Sequence, residues 1–525
     1  MSVVSDTGPA GASTARGSAA VVPPTSDGAK VAGHDGAQAR EARADVVVGA
    51  VPTGLAIGGE AVASTGGRTL EVIDPATESV LALVSDAGVD DAARAAAVAA
   101  AALSGWAARP PRHRAEVLRR AFEIMCERET DLALLIVREN GKAFADAVGE
   151  VRYAAEFFRW FSEEAVRVPG RISSAPGGDK TIVVTHEPVG VSLLVTPWNF
   201  PAAMVTRKLA PALAAGCTTV VKPAPETPLT ALALAAIVTE AGADPGVVNV
   251  VPTSDSDAVV RSLLQGPPVR KLSFTGSTRV GRILLGHAAE RVVNSSMELG
   301  GNAPFIVLAD CDMDEAVAGA MVAKLRNGGA SCIAGNRFYV EREVAQEFTE
   351  RLAQAMGAVR VGPGLADGVA VGPLVKEEER TKVEQLVERA VSAGASVVTG
   401  GARREGPGYF YAPTVLGAVD PSAELVSQEI FGPVAPVVPF DDEDEAVAWS
   451  NGSESGLAAY VYTQDVGRGL RLAGRLQTGM VGINRGLVSD PAAPFGGMKQ
   501  SGIGREGGQE GLLEFLEEKY TAVSW

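Results

Sequence analysis

The chain has 525 residues and a mass of 53.9 kDa, which exceeds what one hydrophobic core usually fills, so we expect at least two packed domains. Hydrophobic residues make up 46% of the sequence and charged residues 21%, as is typical of globular proteins. The net charge of −16 argues against binding nucleic acid or anionic membranes through a basic surface, so an anionic ligand would need its own local arginines.

The sequence shows no targeting or membrane segment. No run of about 18 apolar residues suggests a membrane span, and residues 1–20 lack the basic start and apolar centre of a signal peptide. We therefore expect a cytoplasmic protein with no membrane partner. The four cysteines have neither metal-ligand spacing nor a disulfide framework, which predicts no metal site and leaves each as a single thiol.

The first 55 residues contain no aromatic residue and are rich in Ala, Gly, Ser, Thr, Asp and Pro. Such a segment buries too little apolar area to offset its ordering entropy, so residues 1–55 are predicted to form a disordered extension. An Ala-rich helix is predicted at residues 88–108. A second helix is predicted at residues 112–128, where apolar residues repeat at helical spacing.

Short Val-rich runs alternate with amphipathic stretches from Val191 onward. One block of runs precedes Gly300, at residues 191–195, 218–221, 247–251 and 271–274. A second block follows Gly300, at residues 305–308, 338–340, 397–398, 434–440 and 479–483. This alternation is typical of βαβ units, so the predicted fold class is α/β with two parallel-sheet domains. The alternating pattern within residues 168–188 predicts an extended hairpin that reaches outside its domain.

Cys332 lies in a glycine-rich stretch, residues 327–337, with the sequence NGGASCIAGNR. Glycines let the backbone approach a ligand closely, and a thiol in such a loop can be exposed for nucleophilic attack. A cysteine is also often a small buried hydrophobic residue. From this loop alone both interpretations stay open.

Two more polar residues follow predicted strands. Glu298, in the stretch MELGGN, could act as a general base, although a turn glutamate is the simpler interpretation. Asn199, in the stretch TPWNFP, could donate to an oxyanion, although asparagine is also common in turns.

A possible phosphate site lies at residues 274–278, FTGST, which open a helix after a strand. Amides and hydroxyls at a helix N-terminus suit a phosphate, yet the stretch lacks the Gly-x-Gly-x-x-Gly fingerprint of dinucleotide folds. Lys222 follows another strand, where a lysine suits a ribose hydroxyl or a phosphate, or is simply solvated.

Taken together and in this order, these stretches resemble the aldehyde dehydrogenase superfamily along nearly the whole chain after residue 55. The resemblance implies a cofactor-binding domain of residues 56–167 and 189–299 and a catalytic domain of residues 300–511. It also implies bridging elements at residues 168–188 and 512–525 that assemble a homodimer or homotetramer.

The resemblance implies roles for the three candidate catalytic residues. Cys332 resembles the nucleophile that forms a thiohemiacetal with the aldehyde, while Asn199 and the Cys332 amide stabilise the oxyanion. Hydride transfer to the nicotinamide then leaves a thioester. Glu298 resembles the base that activates water to hydrolyse it.

On the cofactor side, Lys222 resembles the residue that binds the ribose. Gly276 and Ser277 resemble the residues that hold the diphosphate, and Trp198 resembles a residue that forms a wall of the site. Glu429 and Phe431 match the stretch that contacts the nicotinamide ribose and ring. NAD-preferring members commonly carry a glutamate at the position of Pro225. Without this glutamate there is no carboxylate at that position to repel a 2′-phosphate, so NADP is favoured over NAD. The adjacent Glu226 could instead point into the cofactor site.

Within the superfamily, the chain resembles succinic semialdehyde dehydrogenases in the stretches MVTRK, AKLRN and GLVS. The resemblance places Arg207, Arg326 and Ser489 where that family grips the distal carboxylate, and charge-assisted Arg–carboxylate bonds would select an acid-tailed aldehyde. Either arginine could instead form an intramolecular salt bridge. The residues before Cys332 are Ala330 and Ser331, whereas the family commonly has Gly-Gln there. We expect this difference to alter the shape of the pocket and its selectivity for the substrate tail.

Alternative functions stay open at this point. A dehydrogenase of broader specificity would accept glutarate semialdehyde or aliphatic and aromatic aldehydes. A binding protein could keep the fold without the chemistry, but the joint presence of Cys332, Glu298 and Asn199 opposes this. In coenzyme A-acylating relatives a thiol replaces water, and Glu298 favours hydrolysis instead.

Overall fold

The computed structural model describes residues 36–525, so residues 1–35 of the predicted extension lie outside the described residues. The prediction of disorder is wrong for the remainder of the 1–55 segment. Residues Ala37–Ala50 form helix α1, which buries Ala44, Val47 and Val48. These residues recur at helical spacing and give an apolar stripe without any aromatic side chain, a signal that the overall composition of the segment hides.

The helices that follow α1 include both predicted early helices, within one residue at each end. Their bounds are α2 (Val89–Ala107), α3 (Pro111–Glu127), α4 (Glu129–Asn140), α5 (Phe144–Glu164), α6 (Ala203–Ala215), α7 (Pro228–Glu240), α8 (Ser256–Gln265), α9 (Thr278–Ala289), α10 (Met313–Leu325), α11 (Arg342–Gly357), α12 (Glu377–Ser392), α13 (Glu424–Ser427), α14 (Glu443–Asn451), α15 (Val466–Arg475) and α16 (Glu510–Leu513).

The strands include every predicted run. Their bounds are β1 (Leu55–Ile57), β2 (Glu60–Val62), β3 (Thr69–Ile73), β4 (Val80–Ser85), β5 (Arg171–Ser174), β6 (Thr181–Pro188), β7 (Val191–Val195), β8 (Thr218–Lys222), β9 (Val248–Val250), β10 (Val269–Thr275), β11 (Asn294–Glu298), β12 (Ala303–Val307), β13 (Gly335–Glu341), β14 (Ser396–Thr399), β15 (Thr414–Gly417), β16 (Val434–Phe440), β17 (Ser455–Gly456), β18 (Ala458–Tyr462), β19 (Met480–Ile483), β20 (Met498–Lys499), β21 (Gly502–Ile503) and β22 (Leu516–Val523).

The first large sheet has the strand order β2-β1-β9-β8-β7-β10-β11-β21. Its five central strands are parallel. Every residue of β7 and β8 is buried, as expected for parallel strands covered on both faces, and this explains their continuous Val-rich sequence. The sheet places the ends of β7, β10 and β11 side by side, so the loops that follow them meet at one edge.

The second large sheet has the order β14-β15-β16-β13-β12-β18-β19. It is parallel except for the edge strand β14, which runs antiparallel to β15. Two parallel sheets with helices on their faces confirm the predicted α/β fold class. The boundary at residue 300 is only approximate, because β21 returns from the second domain and pairs with Met297 and Glu298 of the first sheet.

The predicted hairpin at residues 168–188 is formed by β5 and β6, which pair antiparallel. The C-terminal strand β22 adds to it along eight residue pairs, from Leu516 to Val523. The resulting three-stranded sheet stands apart from both large sheets. No helix among residues 36–525 is long and apolar enough to span a lipid bilayer.

Candidate active site

A pocket of about 390 Å³ lies where loops of the two large sheets meet. Most of the predicted site residues line it: Trp198, Asn199, Arg207, Gly276, Ser277, Arg326, Cys332, Glu429, Phe431 and Ser489. Glu298, Lys222 and Pro225 are not in its wall. The structure therefore brings together segments that are up to about three hundred residues apart in sequence, from both domains.

The loop before Cys332 is fixed by an unusual backbone. Residues Arg326–Gly329 form a 3-10 turn in which Asn327 has φ 57° and Gly328 φ 60°. At Gly329, also left-handed, a β-carbon would overlap the Gly432 carbonyl group, so only glycine fits there. This turn presents the half-buried Cys332 side chain to the pocket.

The Glu298 motif packs directly on that loop. A β-carbon at Gly301 would overlap the Cys332 carbonyl oxygen, so the glycine after the Glu298 strand lets the Cys332 loop approach. The glycine of this sequence motif thus has a packing reason.

Burial dominates the acid–base properties of Cys332. Desolvation raises the pKa of the thiol to about 12; the Arg207 guanidinium opposes this shift, and the nearby carboxylates Glu429 and Glu298 add to it. The thiol is therefore protonated at neutral pH, and its attack on an electrophile must be coupled to loss of a proton.

Glu298 ends strand β11 and is 3% exposed. Neither of its carboxyl oxygens has a hydrogen-bond partner among the described residues. Burial raises the pKa of Glu298 well above its usual value, with a further contribution from Glu506, while Arg207 and Lys208 oppose the shift. An unpaired carboxyl with a raised pKa is suited to accept a proton from water during catalysis.

Asn199 is held by contacts at both its side chain and its backbone. Its Nδ2 donates to the Ala330 carbonyl at 3.1 Å. Its carbonyl accepts from Lys142 Nζ at 2.8 Å and from Asn327 Nδ2 at 2.7 Å. Lys142 is itself paired with buried Glu150. These contacts fix the amide beside the Cys332 loop, where its second N–H can donate to an oxyanion.

The residues predicted to bind the cofactor form an aromatic wall and a helix terminus in the pocket. Trp198 and Phe431 meet edge to face, with ring centroids 5.3 Å apart. Ser277 caps helix α9 by accepting a hydrogen bond from the Val280 amide at 3.3 Å. Glu429 accepts from the Gly301 amide at 3.2 Å, and burial raises the pKa of its carboxyl to about 7.

Lys222 and Pro225 lie beyond the described pocket, at and after the end of β8. Burial lowers the pKa of Lys222 to about 8, and its ammonium makes no hydrogen bond or ion pair within residues 36–525. Glu226 is ion-paired with the pocket residue Lys376 at 2.7 Å. The carboxylate adjacent to Pro225 is thus already bound by a cation of the second domain.

The three predicted tail-binding residues all line the pocket. Arg207 is 2% exposed, and its Nε is paired with Glu506 while its guanidinium lies 4.0 Å from the Phe495 ring. The intramolecular salt bridge considered as an alternative therefore exists, yet Nη2 remains buried without a partner. Arg326 has no ion pair among the described residues and lies 4.7 Å from the Phe200 ring.

Several pocket residues were not found by sequence reasoning. They are the aromatic residues Tyr153, Phe200 and Phe495 and the charged residues Lys376, Glu379 and Lys382. Phe200 and Phe495 lie within motifs that were singled out for other residues, whereas Tyr153 and α12 carried no local signal. Their role depends on tertiary packing.

The order of these motifs along the chain agrees with a known family model. The model described as "Aldehyde dehydrogenase family" matches residues 61–521. The chain belongs to the aldehyde dehydrogenase family. It is therefore an oxidoreductase, and the predicted family resemblance is confirmed.

Curated relatives of this aldehyde dehydrogenase carry acid-tailed substrates in their names. It is 53% identical over 445 residues to a succinate-semialdehyde dehydrogenase of Paenarthrobacter nicotinovorans, covering 85% of this chain and 99% of the relative. It is 47% identical over 468 residues to a glutarate-semialdehyde dehydrogenase of Pseudomonas putida, covering 89% of this chain and 97% of the relative.

Among solved structures, an Escherichia coli NADP-dependent enzyme has a TM-score of 0.89 and 45% sequence identity, covering 90% of this chain and 98% of that chain. Aldehyde dehydrogenases use NAD(P), and the residues of this pocket fit such a cofactor. Helix α9 directs its N-terminus toward the wall, and the buried Thr275 hydroxyl there has no partner within residues 36–525. Beyond the pocket, the Lys222 ammonium at the end of β8 forms no hydrogen bond within those residues.

Proposed function

We propose that this protein catalyses the NAD(P)-dependent oxidation of succinic semialdehyde to succinate. The proposal rests chiefly on two arginines in the wall of the pocket that holds Cys332. Arg207 keeps one guanidinium nitrogen without a partner, and Arg326 has no ion pair among the described residues. A protein of net charge −16 thus offers local positive charge beside a candidate nucleophile, which suits an aldehyde with a distal carboxylate.

The proposed reaction begins when the Cys332 sulfur attacks the aldehyde carbon and gives its proton to water in the pocket. The Asn199 amide and the Cys332 backbone N–H donate to the oxyanion of the thiohemiacetal. Bound NAD(P) would supply the acceptor for the hydride that leaves when this intermediate becomes a thioester. Glu298 then takes a proton from water, which attacks the resulting thioester and frees both the acid and the thiol.

An aldehyde panel tests the proposed substrate class. We expect kcat/KM for succinic semialdehyde to exceed that for butanal by about two orders of magnitude, since charge-assisted bonds to a carboxylate contribute about 1.5–3 kcal/mol each. Glutarate semialdehyde, one methylene longer, should fall between them. Equal values for succinic semialdehyde and butanal would show that the arginines do not select the tail.

NADP is the proposed preferred cofactor. Pro225 stands where NAD-preferring members of the family place a glutamate, and Glu226 is engaged by Lys376 at 2.7 Å. Neither position then presents a free carboxylate to a 2′-phosphate, so the repulsion that disfavours NADP is reduced.

We also propose that the protein is a homodimer or homotetramer assembled through the sheet of β5, β6 and β22. Ile172 on β5 and Tyr520 on β22 are 74% and 55% exposed. Large apolar side chains on an outlying sheet are typical of subunit contacts. A cytoplasmic location stays a prediction.

A further inference from the structure

Tyr153 lies on helix α5 and lines the same pocket as Cys332. Its hydroxyl oxygen is buried and has no hydrogen-bond partner among the described residues. Buried hydroxyls are seldom left unpaired, because they lose their hydrogen bonds to water on burial. An unpaired hydroxyl in the wall of a ligand pocket is therefore positioned to form a hydrogen bond with a bound ligand.

The surroundings of Tyr153 are cationic. The Arg326 guanidinium lies 5.8 Å from the Tyr153 ring centroid. Tyr153 also lies near the Arg207 guanidinium in the wall of the same pocket. Arg207 Nη2 is likewise buried without a partner. Unsatisfied donors of two residues thus lie near each other, beside a second arginine.

We propose that the Tyr153 hydroxyl donates a hydrogen bond to the distal carboxylate of the aldehyde substrate, and that Tyr153 is a specificity-determining residue. This inference rests on the proposed oxidation of an acid-tailed aldehyde and adds a donor to the Arg207, Arg326 and Ser489 group.

The chemistry of the neighbours favours a carboxylate as the partner. Arginine side chains only donate hydrogen bonds, an ionised carboxylate only accepts them, and a phenol does both. An ionised carboxylate has two oxygens with several lone pairs, so it can accept from two guanidinium groups and a phenol at once, and its charge strengthens each bond. A neutral tail, such as the methyl end of butanal, offers no acceptor, so the hydroxyl contributes nothing to binding that aldehyde.

The test compares Tyr153→Phe with the wild type on succinic semialdehyde and on butanal at saturating cofactor. The matched control is Tyr411→Phe, since the buried Tyr411 hydroxyl lies outside the pocket. We expect Tyr153→Phe to lower kcat/KM for succinic semialdehyde about tenfold or more, mainly through KM, as expected for a lost hydrogen bond to a charged group. The value for butanal should stay within about twofold, and Tyr411→Phe should leave the ratio of the two unchanged.

Succinate supplies a readout that does not depend on the chemical step. Its inhibition constant against the semialdehyde should rise in Tyr153→Phe by a similar factor and stay unchanged in Tyr411→Phe. Retained activity on butanal shows that the variant is folded.

The outcomes separate the two proposals. A wild type that prefers the acid-tailed aldehyde, with a Tyr153→Phe variant that keeps this preference or loses activity equally on both aldehydes, overturns the role of Tyr153 alone. A wild type without that preference overturns the proposed substrate and, with it, the role of Tyr153.

Discussion

Burial raises the pKa of both groups proposed to exchange protons, Cys332 to about 12 and Glu298 well above its ordinary value. A neutral Cys332 thiol avoids placing a second unpaired negative charge beside Glu298 in one pocket. The carboxylate of Glu298, once formed, is a stronger base than one in water. Activity should therefore rise with pH as Glu298 loses its proton.

Glu298→Gln is expected to separate acylation of Cys332 from hydrolysis of the thioester. The amide keeps the shape of the side chain but accepts no proton, so the steady-state rate should fall about 10²- to 10⁴-fold. Rapid-mixing measurements should still show a burst of NAD(P)H close to one equivalent per active site. The part of the pH dependence that follows the titration of Glu298 should also disappear. A variant that loses the burst together with turnover would assign Glu298 to the first half of the reaction.

Pro225→Glu is expected to shift the cofactor preference toward NAD. A carboxylate at this position would repel a 2′-phosphate and could bind ribose hydroxyls, and about 1–2 kcal/mol corresponds to a roughly 5- to 30-fold change in the ratio of kcat/KM values. Pro225→Gln is the matched control, since it has a similar side chain without the charge. Dissociation constants measured by NADPH and NADH fluorescence should follow the same order. A similar change in both variants would trace the effect to the backbone.

Helix α1 shows how a short amphipathic element can be missed. Its buried stripe is made of Ala and Val only, and Arg43 adds an ion pair with Asp131 of helix α4 at 2.8 Å. Composition averaged over residues 1–55 concealed this stripe. The helix is held by tertiary packing, since its own sequence has no side-chain cap.

Val47→Asp is expected to release α1 from the domain. Val47 is 2% exposed, and burial of an unpaired carboxylate in its place should cost about 2–4 kcal/mol. Val46→Asp is the matched control, because Val46 is 63% exposed. Amide hydrogen exchange should show loss of protection across residues 37–50 in the first variant only. Equal protection in the two variants would mean that the helix is not docked in solution.

Elements with a strong local pattern were predicted well, and contacts between distant elements were not. The Val-rich strands and both early helices follow from periodicity, and the motifs around Cys332, Glu298 and Asn199 do converge on one site. The Glu506 partner of Arg207 lies 299 residues away, and no local pattern encodes such a pairing. Tyr153 was missed for the same reason, because a tyrosine on an amphipathic helix is ordinary until the fold turns it toward a pocket.

In the whole molecule, the site is built from two domains whose backbones contact each other directly. Strand β21 returns from the second domain to pair with Met297 and Glu298, and Gly301 admits the Cys332 carbonyl. The proposed base and nucleophile are therefore positioned by one continuous set of contacts. The outlying sheet of β5, β6 and β22 takes no part in this set, which leaves its exposed apolar side chains available to another subunit.

Ile172→Asp is expected to weaken subunit assembly while leaving the fold of each subunit intact. The side chain is 74% exposed, so the substitution costs little within one subunit, but it would bury a carboxylate in an apolar contact between subunits. Light scattering coupled to size-exclusion chromatography should show a smaller species for this variant at micromolar concentration. Leu470→Asp is the control, because Leu470 is 61% exposed on helix α15, away from the outlying sheet. If Ile172→Asp keeps the mass of the wild type and Leu470→Asp does not, the subunit contact lies on the surface around helix α15 instead of on the outlying sheet.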